Sequence, residues 1–166
     1  MGKKFELTDK FIINVFGIKL FQIKCTKSFK YAQKGDLGGY VEKEGNLDQE
    51  NDAWVSGDAQ VSGNAWVSGN AQVYGNAWVY GNARVYGNAN IKNNNEHCGF
   101  DGFGSCNRHT HAYLTKEKKV EITCGCFRGS IEEFEKKVEE THSGTIYEKQ
   151  YKAIINVIKI KFGLTD

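Results

Sequence analysis

Between Gly57 and Lys92 the chain repeats itself every six residues without a break: GDAQVS, GNAWVS, GNAQVY, GNAWVY, GNARVY and GNANIK. This period constrains the fold more than any other feature, because a unit so short can bury its apolar residues only against neighbouring units. Val or Ile recurs at one position (Val55, Val61, Val67, Val73, Val79, Val85, Ile91), with Ala two residues earlier. Side chains alternate along a strand, so these two point inward and the residue between them points outward. Gly adopts positive φ freely and Asn tolerates the left-handed region, so each Gly-Asn pair suits a sharp corner. The expected fold is a parallel β-solenoid with one short strand per unit.

The register extends upstream as NDAWVS (51–56), GNLDQE (45–50) and GYVEKE (39–44), the last with only Val41 in an inward position. The pattern resembles the left-handed hexapeptide β-helix, whose triangular coil takes three hexapeptides, which implies three coils for the nine units and a stacking of residues eighteen apart. Trp54, Gln72 and Asn90 then share a face, and Asp52, Asn70 and Asn88 share a corner. Such a coil stack is only about 14 Å tall at the usual strand spacing, so its open ends need covering.

The flanks supply candidates. Phe11 to Val15 and Ile18 to Cys25, parted by Phe16-Gly17, predict a hairpin to plug one end. After Lys92 a loop rich in Gly, His and Cys (97–111) is followed by expected strands at 111–115 and 119–124. Ser130 with Glu133 forms a capping box for a helix with Ile131, Phe134 and Val138 on its apolar stripe. A second helix, roughly 145–162, carries Tyr147, Tyr151, Ile154, Ile155, Ile158 and Phe162 at helical spacing. The fold is therefore expected to be mainly β. A short parallel β-helix of about three coils (39–92) is capped by an N-terminal β-hairpin (1–38) and a C-terminal α+β segment (93–166).

Composition narrows the partners. A net charge of +2 gives no electrostatic case for a nucleic acid polymer. The absence of a long apolar run, a signal peptide or a lipidation motif predicts a cytoplasmic protein without membrane attachment. Five Cys, an odd number, argue against a disulfide framework.

The stretches KGDLGGYVEKEGNLDQENDAWV, the Gly-Asn-Ala repeats and ITCGCFRGSIEEFEKKVEETH resemble a group of hexapeptide-repeat proteins common in phages and prophages. The resemblance implies a left-handed β-helix in this three-part order and a phage setting, and it brings no activity with it; the repeat by itself leaves the hand open. That group often shows Gly-Ser-Arg and a Thr run before its CGCF segment. The corresponding residues here are Ser105, Arg108 and Thr110, with Cys106, His109 and His111 inserted among them.

Three constellations could carry chemistry. Trp54, Trp66 and Trp78 recur every twelve residues at outward positions, which spreads them over three faces. So many aromatic rings on a small surface call for cover, and a homo-oligomer, a trimer, supplies it. Pockets between subunits lined by Trp66, Tyr80, Arg84 and Tyr86 would suit a planar ring. The turn Gly125 to Ser130 combines close backbone approach at Gly125 and Gly129, the free N–H groups of a helix start at Ser130, and the charge of Arg128. It is the best candidate anion site, against the plainer reading of an ordinary capped helix. His109, His111, Cys124 and Cys126 are weak candidate metal ligands, since their spacing matches no zinc module and incidental Cys is the plainer account.

No cofactor is expected. The leading expectation is a non-enzymatic, oligomeric protein that binds a small anionic, nucleotide-like ligand and, in a phage, sequesters a host immune signal. A structural or protein-binding role is the alternative. Acyl transfer, for which hexapeptide β-helices are best known, lacks a His anywhere in the repeat.

Overall fold

The computed structural model describes residues 2–165. They form two compact units parted after Asn94.

In the first unit, Phe5–Ile13 (β1) and Lys19–Cys25 (β2) form an antiparallel hairpin, and β2 pairs antiparallel with Leu37–Val41 (β3). Seven two-residue strands follow: β4 (Trp54–Val55), β5 (Gln60–Val61), β6 (Trp66–Val67), β7 (Gln72–Val73), β8 (Trp78–Val79), β9 (Arg84–Val85) and β10 (Asn90–Ile91). They sort into three parallel stacks: β3–β5–β8, β4–β7–β10 and β6–β9. The stacks arise because every third unit points the same way. Gln60 pairs with Trp78, Trp66 with Arg84, and Trp54 with Gln72 and then Asn90. Every Ala and Val of the repeat is buried, the Val side chains completely. Each buried Val contributes about 1.5–3 kcal/mol, which offsets the entropy of so much extended chain.

The corners divide the labour of the Gly-Asn pair. Positive φ falls on the Gly alone, between +57° and +68° from Gly57 to Gly87, and on none of the corner Asn residues. A Cβ on Gly69 would also stand 3.0 Å from the backbone nitrogen of Gly87 in the corner stacked on it. The Asn residues instead donate their backbone N–H across the stack, Asn64 to Gly81 O and Asn70 to Gly87 O, both at 2.9 Å.

Two expectations about the first unit need correction. The register does not run evenly back to residue 39. Tyr40 pairs with Gln60, Val41 with Val61, and Leu47 bridges Val67, each two residues out of step with the pairing of Trp54 to Gln72. The two extra residues lie between Leu47 and Trp54, where the chain makes bends rather than a strand. The start of β1 is tied to this corner: the Gln49 side chain accepts from Lys4 N (2.8 Å) and Phe5 N (3.2 Å) and donates to Phe5 O (3.1 Å). The hairpin, for its part, extends a face of the solenoid rather than only plugging an end, since β1–β2 continue the β3–β5–β8 sheet.

The second unit is a four-stranded antiparallel meander with two helices. Its strands are β11 (His97–Phe103), β12 (Arg108–Leu114), β13 (Val120–Cys124) and β14 (Phe127–Gly129), and its helices α1 (Ile131–His142) and α2 (Ile146–Lys161). The stretch 97–111, expected as a loop, is mostly the β11–β12 hairpin: its His residues alternate with Cys98, Phe100, Thr110 and Ala112 and so fit a two-sided strand. Of the expected turn Gly125 to Ser130 only Gly125-Cys126 is a turn, since Phe127–Gly129 is a strand paired with β13. Ala112, Ile122 and Cys124 pack against Ile131, Phe134, Val138, Tyr151, Ile154, Ile155 and Ile158. The capping box at Ser130 and Glu133 forms as read, and Thr145 caps α2 by accepting from Glu148 N.

Candidate functional site

Arg108 opens β12 with its side chain exposed. Its guanidinium lies along Gly125, which has φ +60°; a Cβ there would stand 2.8 Å from Arg108 Cδ and 2.9 Å from Nη1. Gly125 thus serves both the hairpin turn and the seat of the arginine. Next to Arg108 is a cleft of about 120 Å³ lined by Cys126, Phe127, Phe134, Lys137, His142 and Tyr151, among others. His142 stacks on Tyr151 at 5.5 Å and 29°. Behind them Thr110 donates to Cys124 Sγ (3.3 Å), which lies 3.8 Å from Tyr151 Oη. Burial first, and then Cys124, push the Tyr151 phenol upward, so it stays protonated. Among the described residues no hydrogen bond or ion pair engages the Arg108 guanidinium. The nearby Lys137 makes only a 3.9 Å contact to Glu140.

The other candidates separate according to strand geometry. On β14, Phe127 faces the helices and Arg128 the opposite side, beside Thr123. There Arg128 donates to both oxygens of Glu121, at 2.7 and 3.3 Å, and that bonding raises its pKa further. The N-terminus of α1 is occupied as well: Ser130 N donates to Glu133 Oε2 (2.7 Å), Glu133 N to Ser130 Oγ (3.2 Å), and Glu132 shares the first turn. A Cβ on Gly129 would meet Glu133 Oε2 at 2.5 Å. Arg128 and Ser130 thus have internal carboxylates as partners and the Glu133 carboxylate fills the space over Gly129, while Gly125 belongs with Arg108. Ser105 is exposed and 3.8 Å from Cys106 Sγ.

On the solenoid, Arg84 Cζ lies 5.6 Å from the Trp66 ring, and Tyr86 meets Trp66 edge-on at 5.7 Å. Tyr80 sits on another face, against Phe16 (6.0 Å). Each outward Trp has an aromatic neighbour within the chain: Phe29 for Trp54, Tyr86 for Trp66 and Phe16 for Trp78. These contacts supply part of the cover that had motivated self-association. The four candidate metal ligands do not come together as one set. His109 and His111 share one face of β12, while Cys124 packs in the core on the other, and Cys126 is at the exposed turn.

Sequence reading missed a second cleft, of about 430 Å³, at the out-of-step corner of the solenoid, lined by Lys4, Lys27, Phe29, Gln49, Glu50 and Asp52, among others. Lys4 is buried, donates to Asn51 O (2.5 Å) and Ala53 O (2.8 Å), and lies 5.1 Å from the Phe29 ring. Burial outweighs the pull of Asp48 and Asp52 and lowers its pKa from 10.5 to about 8. In the unfolded chain Lys4 keeps its proton up to about 10.5, whereas the native state gives it up above about 8. Stability contributed at this position therefore rises with pH between those values and is constant below them. Urea titrations of wild type and Lys4→Met across pH 7 to 10.5 should show the wild type gaining on the variant as pH rises. A constant difference would mean that Lys4 titrates as an exposed amine.

The YdcK beta solenoid repeat family matches residues 59–75 and 71–91, both within the stacked strands. No curated protein matches the chain. In its described residues the protein is mainly β, with a β-solenoid repeat of parallel strands, no closed barrel and two C-terminal helices. None of its described helices is long and apolar enough to cross a membrane.

Proposed function

We propose that the protein binds a small anionic ligand through Arg108 and holds it without turning it over. The observation that carries this reading is the uncommitted guanidinium, seated by Gly125 beside a cleft with an aromatic lining. A planar fork of N–H donors left without an acceptor suits a phosphate or carboxylate. The cleft is smaller than the roughly 300–1,000 Å³ of whole-ligand pockets, so it would take the charged group and leave the rest outside. A nucleotide-like molecule meets that description, and in a phage setting its sequestration would blunt a host immune signal. A separate stacking surface within the first unit, Trp66 with Arg84 and Tyr86, is a second candidate for a planar ring.

The finer architecture in this proposal is a left-handed β-helix of three coils, assembled as a trimer in the host cytoplasm. Support for self-association comes from exposed Phe11, Ile13, Val15 and Phe16 on the hairpin and exposed Tyr80 on the solenoid. A structural or protein-binding role would use the same patch.

Calorimetry against cyclic dinucleotides, cyclic oligonucleotides and ADP-ribose derivatives tests the reading, with light scattering on the same samples to give the oligomeric state. Arg108→Ala should weaken binding about ten- to hundredfold, the loss of a charge-assisted hydrogen bond worth about 1.5–3 kcal/mol. Arg128→Ala, whose charge Glu121 already holds, should change it little. Heating the loaded protein should release the ligand unaltered. No heat with wild type, or equal binding by Arg108→Ala, would sink the proposal.

A further inference from the structure

The face of the second unit's sheet opposite the helices carries a row of imidazoles. Alternation along β12 puts His109 and His111 on that face, and β11 adds His97 and Gly99. His97 Nδ1 lies 3.0 Å from His111 Nε2, with the rings stacked at 5.2 Å, and the His109 ring is 5.6 Å from that of His111. His109 Nδ1 is 2.7 Å from Asp101 Oδ1. An ionised carboxylate can only accept, so this nitrogen carries a proton, and in the neutral imidazole Nε2 is then the bare lone pair. That Nε2 is buried without a partner, and so is His111 Nδ1. Gly99 makes the arrangement possible: it is the cross-strand partner of His111, and a Cβ on it would stand 2.8 Å from His109 Nε2.

Buried polar atoms without partners are uncommon and costly, and two on neighbouring rings call for an explanation. In the tautomer whose Nε2 donates to His97, His111 Nδ1 also offers a lone pair. The Asp101–His109 pair is the arrangement by which a carboxylate fixes the tautomer and aim of a metal-binding imidazole. Zinc would need about four ligands, and among the described residues no group of three or more His, Cys, Asp or Glu could hold an ion. Copper suits imidazole, and its monovalent form is satisfied by two ligands. We propose that His109 Nε2 and His111 Nδ1 bind one copper(I) ion, with Asp101 as the positioning residue.

The test uses the full chain carrying Cys106→Ser and Cys126→Ser, because exposed thiols compete for soft metals. Copper(I), supplied without oxygen as its acetonitrile complex, is titrated against a chromogenic chelator while long-range proton–nitrogen spectra follow each imidazole. One equivalent should move the signals of His109 Nε2 and His111 Nδ1 and leave His142 unchanged. Asp101→Asn, at an exposed position outside the ligand pair, should weaken copper binding about 10–100-fold, and His109→Gln should weaken it further. Unmoved imidazole signals overturn the proposal, whether copper goes to the remaining thiols or is not taken up, because a bound water donating to both nitrogens would then be their partner. Unchanged affinity in Asp101→Asn overturns it equally.

Discussion

Val73→Asp is expected to unfold the solenoid. Val73 is fully buried and is the middle member of the Val55–Val73–Ile91 stack, with a parallel neighbour on each side. An acid there cannot stay ionised, and keeping it protonated means raising its pKa by about 3–5 units, or about 4–7 kcal/mol. That approaches the whole stability of an ordinary domain, about 5–15 kcal/mol. Each rung of a solenoid rests only on its neighbours, so losing the middle one leaves the outer two unsupported. Circular dichroism and amide exchange over 54–91 should show a disordered repeat. Gln72→Asp, one residue away but facing outward, should cost less than about 1 kcal/mol. A Val73→Asp protein with a wild-type melting transition would refute the inward assignment.

Phe134→Ala should have the largest effect in the second unit, about 3–5 kcal/mol. The ring is buried and packs against Phe127 at 5.1 Å and Tyr151 at 5.6 Å. Because Phe134, Phe127 and Tyr151 also line the cleft beside Arg108, the variant should lose ligand affinity as well as stability. Phe134→Leu separates the two effects: it keeps most of the buried volume and should cost under about 1.5 kcal/mol. Urea denaturation of both variants gives the comparison. If Phe134→Ala loses less than 1 kcal/mol, the helices do not depend on this contact.

The repeat was legible because one physical rule governs it six times over: an inward Val or Ile, an inward Ala and a Gly at each corner. The helices were legible for a similar reason, since the capping pair Ser130–Glu133 and the Ile131–Phe134–Val138 stripe act locally. The out-of-step corner was not, because GNLDQE keeps the look of a repeat while Gln49 bonds to a strand start more than forty residues earlier. Cleft residues Lys137, His142 and Tyr151 also escaped notice. Tyr151 sits at helical spacing with Ile154 and Ile155 and reads as core, and its relation to Arg108 exists only once α2 packs on the sheet. Arg128 stood out for its position before a helix, but strand alternation turns it toward Glu121.

The stacking of every third unit restricts how this gene segment can change length. Near-identical repeats invite slippage during replication, and a loss or gain of eighteen residues would return each remaining strand to its own stack, with Gly still over Gly. A change of six would not. It would carry Asn90 and Ile91 from the stack headed by Trp54 to a neighbouring one, and every residue placed for its face would present itself on the wrong side. Length variants that survive selection should therefore differ by whole turns.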